Sequence, residues 1–404
     1  MTNLSAPDTP LRDLPATRPA AAQLRALHIY RTYFPDPPGG LQEAIRQIAL
    51  GCSRFDVEST IFTLSPDPHP AELQREEGRV IRCRSWAAPA SCDLGGPAAL
   101  RRFRELSEWA DIVHFHFPWP FGDVLSLFGA RTKPAVMTYH SDIVRQRALG
   151  AIYGPLMRRT LRSMSAVVAT SPAYARTSPV LTGAVAPERL HAIPLGIADY
   201  ADMPMPEGER LLARFGIGRR PMFLSLGVLR YYKGLHTLIE AARHVDADFV
   251  IAGSGPEMER LQELKTRVGA ANVIFAGQVD DEEKRVLLSC CRGLVLSSHL
   301  RSEAFGMVLV EAAMYGKPMV SCEIGTGTSF VNEDGVTGWV VPPEAPDALA
   351  AAIETLACDD AQADAMGRAA RARYELLFSG EALGRAYSQL YRDVMHTAGR
   401  AVSR

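Results

Sequence analysis

The sequence predicts an α/β protein built from two doubly wound parallel-sheet domains. Two observations carry this. Short apolar runs alternate with helix-period segments along nearly the whole chain, as in strands that cross over through helices into a parallel sheet. The alternation also pauses once, near the middle, and then begins again. A length of 404 residues suits two to three domains, and 47% hydrophobic with 22% charged residues excludes a disordered chain.

In the first series, strands are expected at residues 26–30, 60–64, 79–84, 112–116, 135–139, 166–170 and 190–193, with helices such as 41–50 and 98–109 between them. Residues 1–22 are rich in Pro and Ala and read as a flexible arm. Asp8, Asp13 and the lack of an apolar run exclude a secretory signal. The N-terminal Rossmann-like domain is thus placed at 23–195. Pro194, Gly196, Pro204 and Pro206, mixed with Asp199, Asp202 and Glu207, mark a linker over 196–205. Strands then follow at 222–227, 249–253, 273–277, 293–297 and 319–322, giving a second Rossmann-like domain at 206–380. Helices are expected at 348–357, 362–377 and 381–397, the final segment 381–404 crossing back to the first domain.

Charge and cysteines narrow the function classes. Lys plus Arg is 44 against 45 for Asp plus Glu, a balance that argues against nucleic acid as a partner. Seven cysteines without CxxC spacing read as reduced thiols rather than a zinc site or a disulfide framework. No stretch approaches the ~18 uninterrupted apolar residues of a membrane span.

Ligands of open parallel sheets bind beyond the carboxyl ends of the strands, so the segments after each strand are informative. After the first come Gly39 and Gly40, opening a helix. Paired glycines permit close approach and aim free N–H groups at an anion, although a plain tight turn has the same look. His140 comes directly after the fifth strand. His114 and His116 share one face of the preceding strand and read as structural, because no third convergent metal ligand is identifiable.

In the second half, Arg230 and Lys233 flank a strand-to-helix turn where cations and helix-terminal N–H groups would suit a diphosphate. Gly253-Ser254-Gly255-Pro256 forms a small-residue loop after the next strand. Glu303 and Glu311 stand eight residues apart around Gly306. On one continuous helix they would be ~12 Å apart on a similar face. Asp246-Ala247-Asp248 matches a metal-binding DxD string but precedes its strand, at the wrong end of the sheet, and is rejected as a site.

This ordered set, Gly39-Gly40, His140, Gly227 through Gly234, Gly253 through Pro256, and Glu303 with Glu311, resembles glycosyltransferase family four over roughly residues 24–395. Those are retaining enzymes of the GT-B fold, whose two Rossmann-like domains face a deep cleft. The stretch from Glu323 to Asn332 is further similar to bacterial polysaccharide and O-antigen mannosyl- and rhamnosyltransferases.

The resemblance implies a nucleoside-diphosphate sugar as donor, a GDP-mannose or GDP-rhamnose type ahead of UDP-sugars, with a saccharide or lipid-linked acceptor. It implies no cofactor and no metal. Arg230 and Lys233 would clamp the diphosphate, Glu303 would hold sugar hydroxyls and Glu311 the ribose. Phe305, Gly306, Met307 and Val308 would present N–H groups, and Gly40, beside Gly39, would approach the diphosphate from the other domain. His140 would contact the donor sugar, with Gly253, Gln278 and Val279 near the base.

Arg145, Arg147, Arg158, Arg159 and Arg162, interleaved with Leu149, Ile152, Tyr153, Leu156 and Met157, form either a solvated helix face or a docking surface for an anionic membrane. The expected location is the cytoplasm, including the inner face of its membrane. The competing readings are a GT-B nucleotide-sugar 2-epimerase and a non-catalytic nucleotide-sugar-binding protein.

Overall fold

The computed structural model describes residues 23–402, except 37–38, 90–91, 130–132, 143–146, 205–209, 211, 214 and 218–219. The arm expected at 1–22 lies outside the described residues, as does Arg145. The first sheet contains β1 (Leu24–Ile29), β2 (Val57–Ser65), β3 (Glu72–Arg75), β4 (Gly78–Ala87), β5 (Leu94–Gly95), β6 (Ile112–Phe117), β7 (Ala135–Tyr139), β8 (Ala166–Ala169) and β9 (Leu190–Ala192). Their order is β3-β4-β2-β1-β6-β7-β8-β9, with β5 also on β4. All pairs are parallel except β3 and β5, which run antiparallel to β4. Those two strands escaped the sequence reading because Glu72–Arg75 carries one apolar residue in four and Leu94–Gly95 is too short to show a period.

The second sheet holds β10 (Met222–Leu226), β11 (Asp248–Ala252), β12 (Val273–Gly277), β13 (Gly293–Leu296), β14 (Met319–Cys322) and β15 (Gly338–Val341), all parallel, in the order β12-β11-β10-β13-β14-β15. Each sheet therefore reverses its winding beside its first strand, at β1 against β6 and at β10 against β13. Connections leave such a point in opposite directions and open a crevice at the carboxyl edge.

Parallel strands covered on both faces are apolar on both, and β6 shows how each face is used. Val113, Phe115 and Phe117 join Phe62, Phe103 and Trp119 in one core layer. Ile112 on the other face packs with Ile48, Cys52, Tyr387 and Tyr391. His114 and His116 share that second face and are fully buried. Its cover comes from the helix Gly40–Ser53 and the C-terminal helix Gly380–Val402. The two cross on glycine: a Cβ on Gly384 would sit 2.1 Å from the Gly51 carbonyl oxygen. The helix expected at 362–377 is an α-helix over Asp360–Arg373, continued by a π-helical turn over Tyr374–Phe378. All seven cysteines are free thiols. No helix among the described residues is long and apolar enough to cross a membrane.

Asp123, in the helix Pro120–Gly129, is buried and accepts a hydrogen bond from the Tyr153 hydroxyl. Burial pushes its carboxyl pKa up to about 7, the tyrosine opposing. The native state therefore holds a proton that the unfolded chain has already released, and stability falls as pH rises toward and through 7. Asp123→Asn should remove this loss. Urea midpoints at about pH 5 and about pH 8 should show the variant gaining on the wild type as pH rises; an unchanged difference would contradict the assignment.

Candidate active site

At the reversal point of the second sheet, β10 runs into Gly227, then a short 3-10 turn over Tyr231–Lys233, then the helix Leu235–Ala242. Gly234 ends the turn with φ 63°, and a Cβ there would meet the Ser297 carbonyl oxygen at 2.0 Å. Only glycine lets these two loops lie backbone against backbone. That approach brings Lys233, which follows β10, to Glu303, which follows β13. Lys233 Nζ donates to Glu303 Oε2 at 2.5 Å, and Ser298 Oγ donates to the same oxygen at 3.1 Å. Both charged side chains are only 12% exposed. Burial alone would lower the lysine pKa, but the adjacent Glu303 carboxylate outweighs it and the net direction is up. Lys233 is thus a held cation. Arg230 is exposed and has no side-chain partner among the described residues.

The structure corrects the geometry expected for the two glutamates. Gly306 adopts φ 81° and caps a helix that begins only at Met307, so Glu303 lies in the turn before it. The two side chains do not share a helical face. Their partners differ as well. Glu311 Oε1 accepts hydrogen bonds from Lys284 Nζ at 3.0 Å and Tyr200 OH at 3.1 Å. Burial pulls the Lys284 pKa down and Glu311 more than restores it. The sequence reading missed both partners: Tyr200 lies in the expected linker, and Lys284 follows Asp281-Glu282-Glu283 at a helix start, where a lysine carries no signal.

Between the glutamates, the N–H groups of Phe305, Gly306, Met307 and Val308 have no acceptor among the described residues. They are the orphan donors of a helix start, a ready site for an anion. Gly253 has φ 138°, and its Cβ would lie 2.0 Å from the Gly227 carbonyl oxygen. Gly255 meets Leu229 in the same manner, at 2.5 Å. These glycines therefore have a packing reason of their own. Gln278 Oε1 accepts from Ser254 Oγ at 3.0 Å, and Val279 packs against the adjoining core. Asp248 sits at the amino end of β11 and pairs with Arg220 at 2.5 Å, away from the carboxyl edge.

In the first sheet, Gly40 begins its helix and a Cβ there would touch nothing within 4 Å, whereas one on Gly39 would meet Gln42 Oε1 at 2.7 Å. Among the described residues, nothing fills the position a side chain on Gly40 would take. His140 follows β7 and is backed by buried histidines. Its Nε2 lies 3.1 Å from His116 Nδ1, and His116 Nε2 lies 3.2 Å from His28 Nδ1. Burial drives the His28 and His140 pKa values down to about 3 and His116 well below the usual imidazole range, so these rings are neutral.

His28 is also the third convergent histidine that sequence could not supply. His28, His114 and His116 bring ligand-capable nitrogens within 4.8 Å of one another. The donor set does not fit a metal, because His114 has both nitrogens engaged at 2.7 Å, by Tyr391 OH and Thr138 Oγ1. The two domains meet near His140. Arg301, two residues before Glu303, donates to the Gly325 carbonyl at 2.5 Å and to Thr177 Oγ1 at 3.2 Å, and lies 3.7 Å from Asp142.

The helix Arg147–Ser163 corrects the expected basic surface. Arg158, Arg159 and Arg162 are exposed, but Met157 is buried and Tyr153 turns inward to Asp123. Those two residues serve the core because the helix must cover the sheet. The side chains of Arg147, Leu149 and Ile152 lie outside the described residues.

Comparison with known proteins gives the family. Residues 39–196 match the glycosyl transferase 4-like domain, and residues 210–373 match glycosyl transferases group 1. D-rhamnosyltransferase WbpZ of Pseudomonas aeruginosa is 44% identical over 357 residues, 88% of this chain and 92% of that protein. O-antigen chain mannosyltransferase C of Escherichia coli is 39% identical over 375 residues, 93% of this chain and 100% of that protein. Sucrose-phosphate synthase of Thermosynechococcus elongatus superposes with a TM-score of 0.75 at 23% identity, covering 93% of this chain and 100% of that one. Anabaena HepE, in complex with UDP and glucose, gives 0.74 at 19% identity, covering 92% and 100%. Two matched domains in this order, with relatives similar along nearly their whole length, show that the chain belongs to the group 1, family-four-like glycosyltransferases and has their GT-B fold.

Proposed function

We propose that this glycosyltransferase moves a hexose, with retention and without a metal or cofactor, from a nucleoside-diphosphate sugar to a saccharide or lipid-linked acceptor of a cell-surface polysaccharide. The observation that carries the reading is the buried Lys233–Glu303 pair beside the unpartnered N–H groups of residues 305–308. A held cation and a helix start suit a diphosphate, and the carboxylate suits sugar hydroxyls. The relatives named as a D-rhamnosyltransferase and an O-antigen mannosyltransferase favour a GDP-mannose or GDP-rhamnose donor. The structural neighbour holding UDP keeps uridine donors as the comparison.

In the proposed reaction the acceptor hydroxyl attacks the anomeric carbon on the face from which the diphosphate departs. The bond from that carbon to the phosphate oxygen breaks, and a phosphate oxygen takes the acceptor's proton. Lys233 and Arg230 stabilise the charge that grows on the leaving group. His140 contacts the sugar, Glu303 holds its hydroxyls, and Glu311 binds the ribose. Epimerisation at the same cleft is disfavoured, since the relatives are named as transferases.

Donor identity and metal independence are checked together. Thermal shift against GDP, UDP and ADP should show the largest stabilisation with GDP. Transfer should survive exhaustive chelation; loss with EDTA and recovery only with a divalent ion would overturn metal independence.

Glu303 and Glu311 separate by calorimetry. Glu303→Gln should bind free nucleoside diphosphate almost normally while turnover collapses. Glu311→Gln should weaken the nucleotide and the intact donor alike, by ~1.5–3 kcal/mol for a charge-assisted bond. Equal nucleotide losses would defeat the assignment.

Arg158, Arg159 and Arg162 are the proposed contacts with an anionic bilayer at the cytoplasmic face. Sedimentation with vesicles containing anionic lipid should fall as salt rises and fall again in the triple Ala variant. Identical binding by the variant would exclude this face.

A further inference from the structure

The histidines behind His140 form a chain with a direction. A neutral imidazole has one N–H and one lone pair, so each link needs one donor and one acceptor. The rings cannot escape this rule by charging. His28, His116 and His140 are at most 5% exposed, and burial holds all three far below the pH at which imidazole takes a second proton in water. The direction of any one link then fixes the others.

The inner end decides which direction holds. His28 Nε2 lies 3.4 Å from Ser59 Oγ, the longest link of the chain. If His140 Nε2–H donates inward, His28 donates to Ser59, and the buried Ser59 hydroxyl proton has no acceptor among the described residues. If Ser59 donates to His28 Nε2, then His28 Nδ1–H donates to His116 Nε2 and His116 Nδ1–H donates to His140 Nε2. That arrangement strands no sealed donor, which would be costly, because the one proton left over is on His140 Nδ1, an atom not among those closed off from solvent without a partner. It leaves the His140 proton on Nδ1, which has no partner among the described residues.

His114 does not join the chain. Its nitrogens are taken by Tyr391 OH and Thr138 Oγ1, and Thr138 Oγ1 is bonded in turn to Tyr387 OH at 2.8 Å. Its ring packs 4.2 Å from that of His116 and 5.1 Å from that of His28, centroid to centroid. Hydroxyls of the C-terminal helix thus fix a spacer ring, and His28 and His116 are left to serve each other.

We propose that His116 and His28, ended by Ser59, are positioning residues that fix His140 in its Nδ1–H tautomer, so that it offers the donor sugar a neutral N–H beyond the carboxyl end of β7. This rests on the reading that His140 contacts the sugar. A neutral donor can bind a sugar oxygen without placing positive charge beside an oxocarbenium-like transition state, which an imidazolium would repel.

The test compares His116→Asn, whose amide can still donate to His140 Nε2, with His116→Leu, which fills the apolar site but donates nothing. The Asn variant should keep most of the turnover. The Leu variant should lose about tenfold in kcat while the donor KM moves less than about threefold. A packing role alone predicts the opposite order, since Leu suits a buried site better than an amide. Nitrogen-15 correlation spectra of histidine-labelled protein, assigned with His140→Ala, should show the wild-type His140 proton on Nδ1. A proton on Nε2, or a Leu variant as active as the Asn variant, overturns the relay. Full activity in His140→Ala would instead sink the reading that His140 meets the sugar, and the spectra would still decide the tautomer.

Discussion

Where β10 lies beside β13, the chain leaves one strand toward each side of the sheet, and the gap between the departing loops is what the rest of the site is built around. The gap closes to side-chain reach only because the loops touch through backbone. Gly234 lies on the Ser297 carbonyl, Gly253 on that of Gly227 and Gly255 on that of Leu229. A side chain at Gly234 would push the β10 and β13 loops apart and draw Lys233 away from Glu303, whereas one at Gly253 or Gly255 would part the β10 and β11 loops. The glycines that look like a ligand-binding signature therefore first serve the packing of the protein against itself. The anion site at residues 305–308 follows from the same arrangement, because Gly306 turns the chain into its helix with a left-handed residue and leaves the first N–H groups unpaired.

Four charged side chains at this edge are held in two balanced pairs. Lys233 is held by Glu303, and Lys284 with Tyr200 is held by Glu311. Partly buried pairs of this kind add little net stability, since desolvation offsets most of the attraction. Their effect is positional: each long side chain has one place to be. On the proposed function, Lys233 meets the diphosphate while Glu303 beside it meets the sugar.

The histidine cluster behind His140 is organised without formal charge. Its histidines are buried and neutral, and hydroxyls rather than carboxylates settle their hydrogen bonds. Two of those hydroxyls, on Tyr387 and Tyr391, come from the last helix of the chain, which follows the second sheet in sequence but packs on the first. The glycine contact between Gly51 and Gly384 lets that helix lie close enough for the tyrosines to reach through to β6 and β7. The helix that ties the halves together is thus also part of the support for His140.

Much of this was legible in sequence. The alternation of apolar runs and helical segments determined the two-sheet α/β class, because parallel strands buried on both faces must be short and apolar throughout. Glycines and cations placed after strands pointed to the carboxyl edges. The fringe strands β3, β5 and β15 stayed hidden because a short strand at a sheet edge owes its existence to its neighbour, not to its own pattern. Tertiary structure alone decided the pairings. Lys233 is 70 residues from Glu303, Tyr200 is 111 from Glu311, and His28 is 88 from His116. Local periodicity reports which face a residue occupies, but which strand lies beside which is set by crossover connections, and only that order brings His28 under His116 or Lys233 to Glu303.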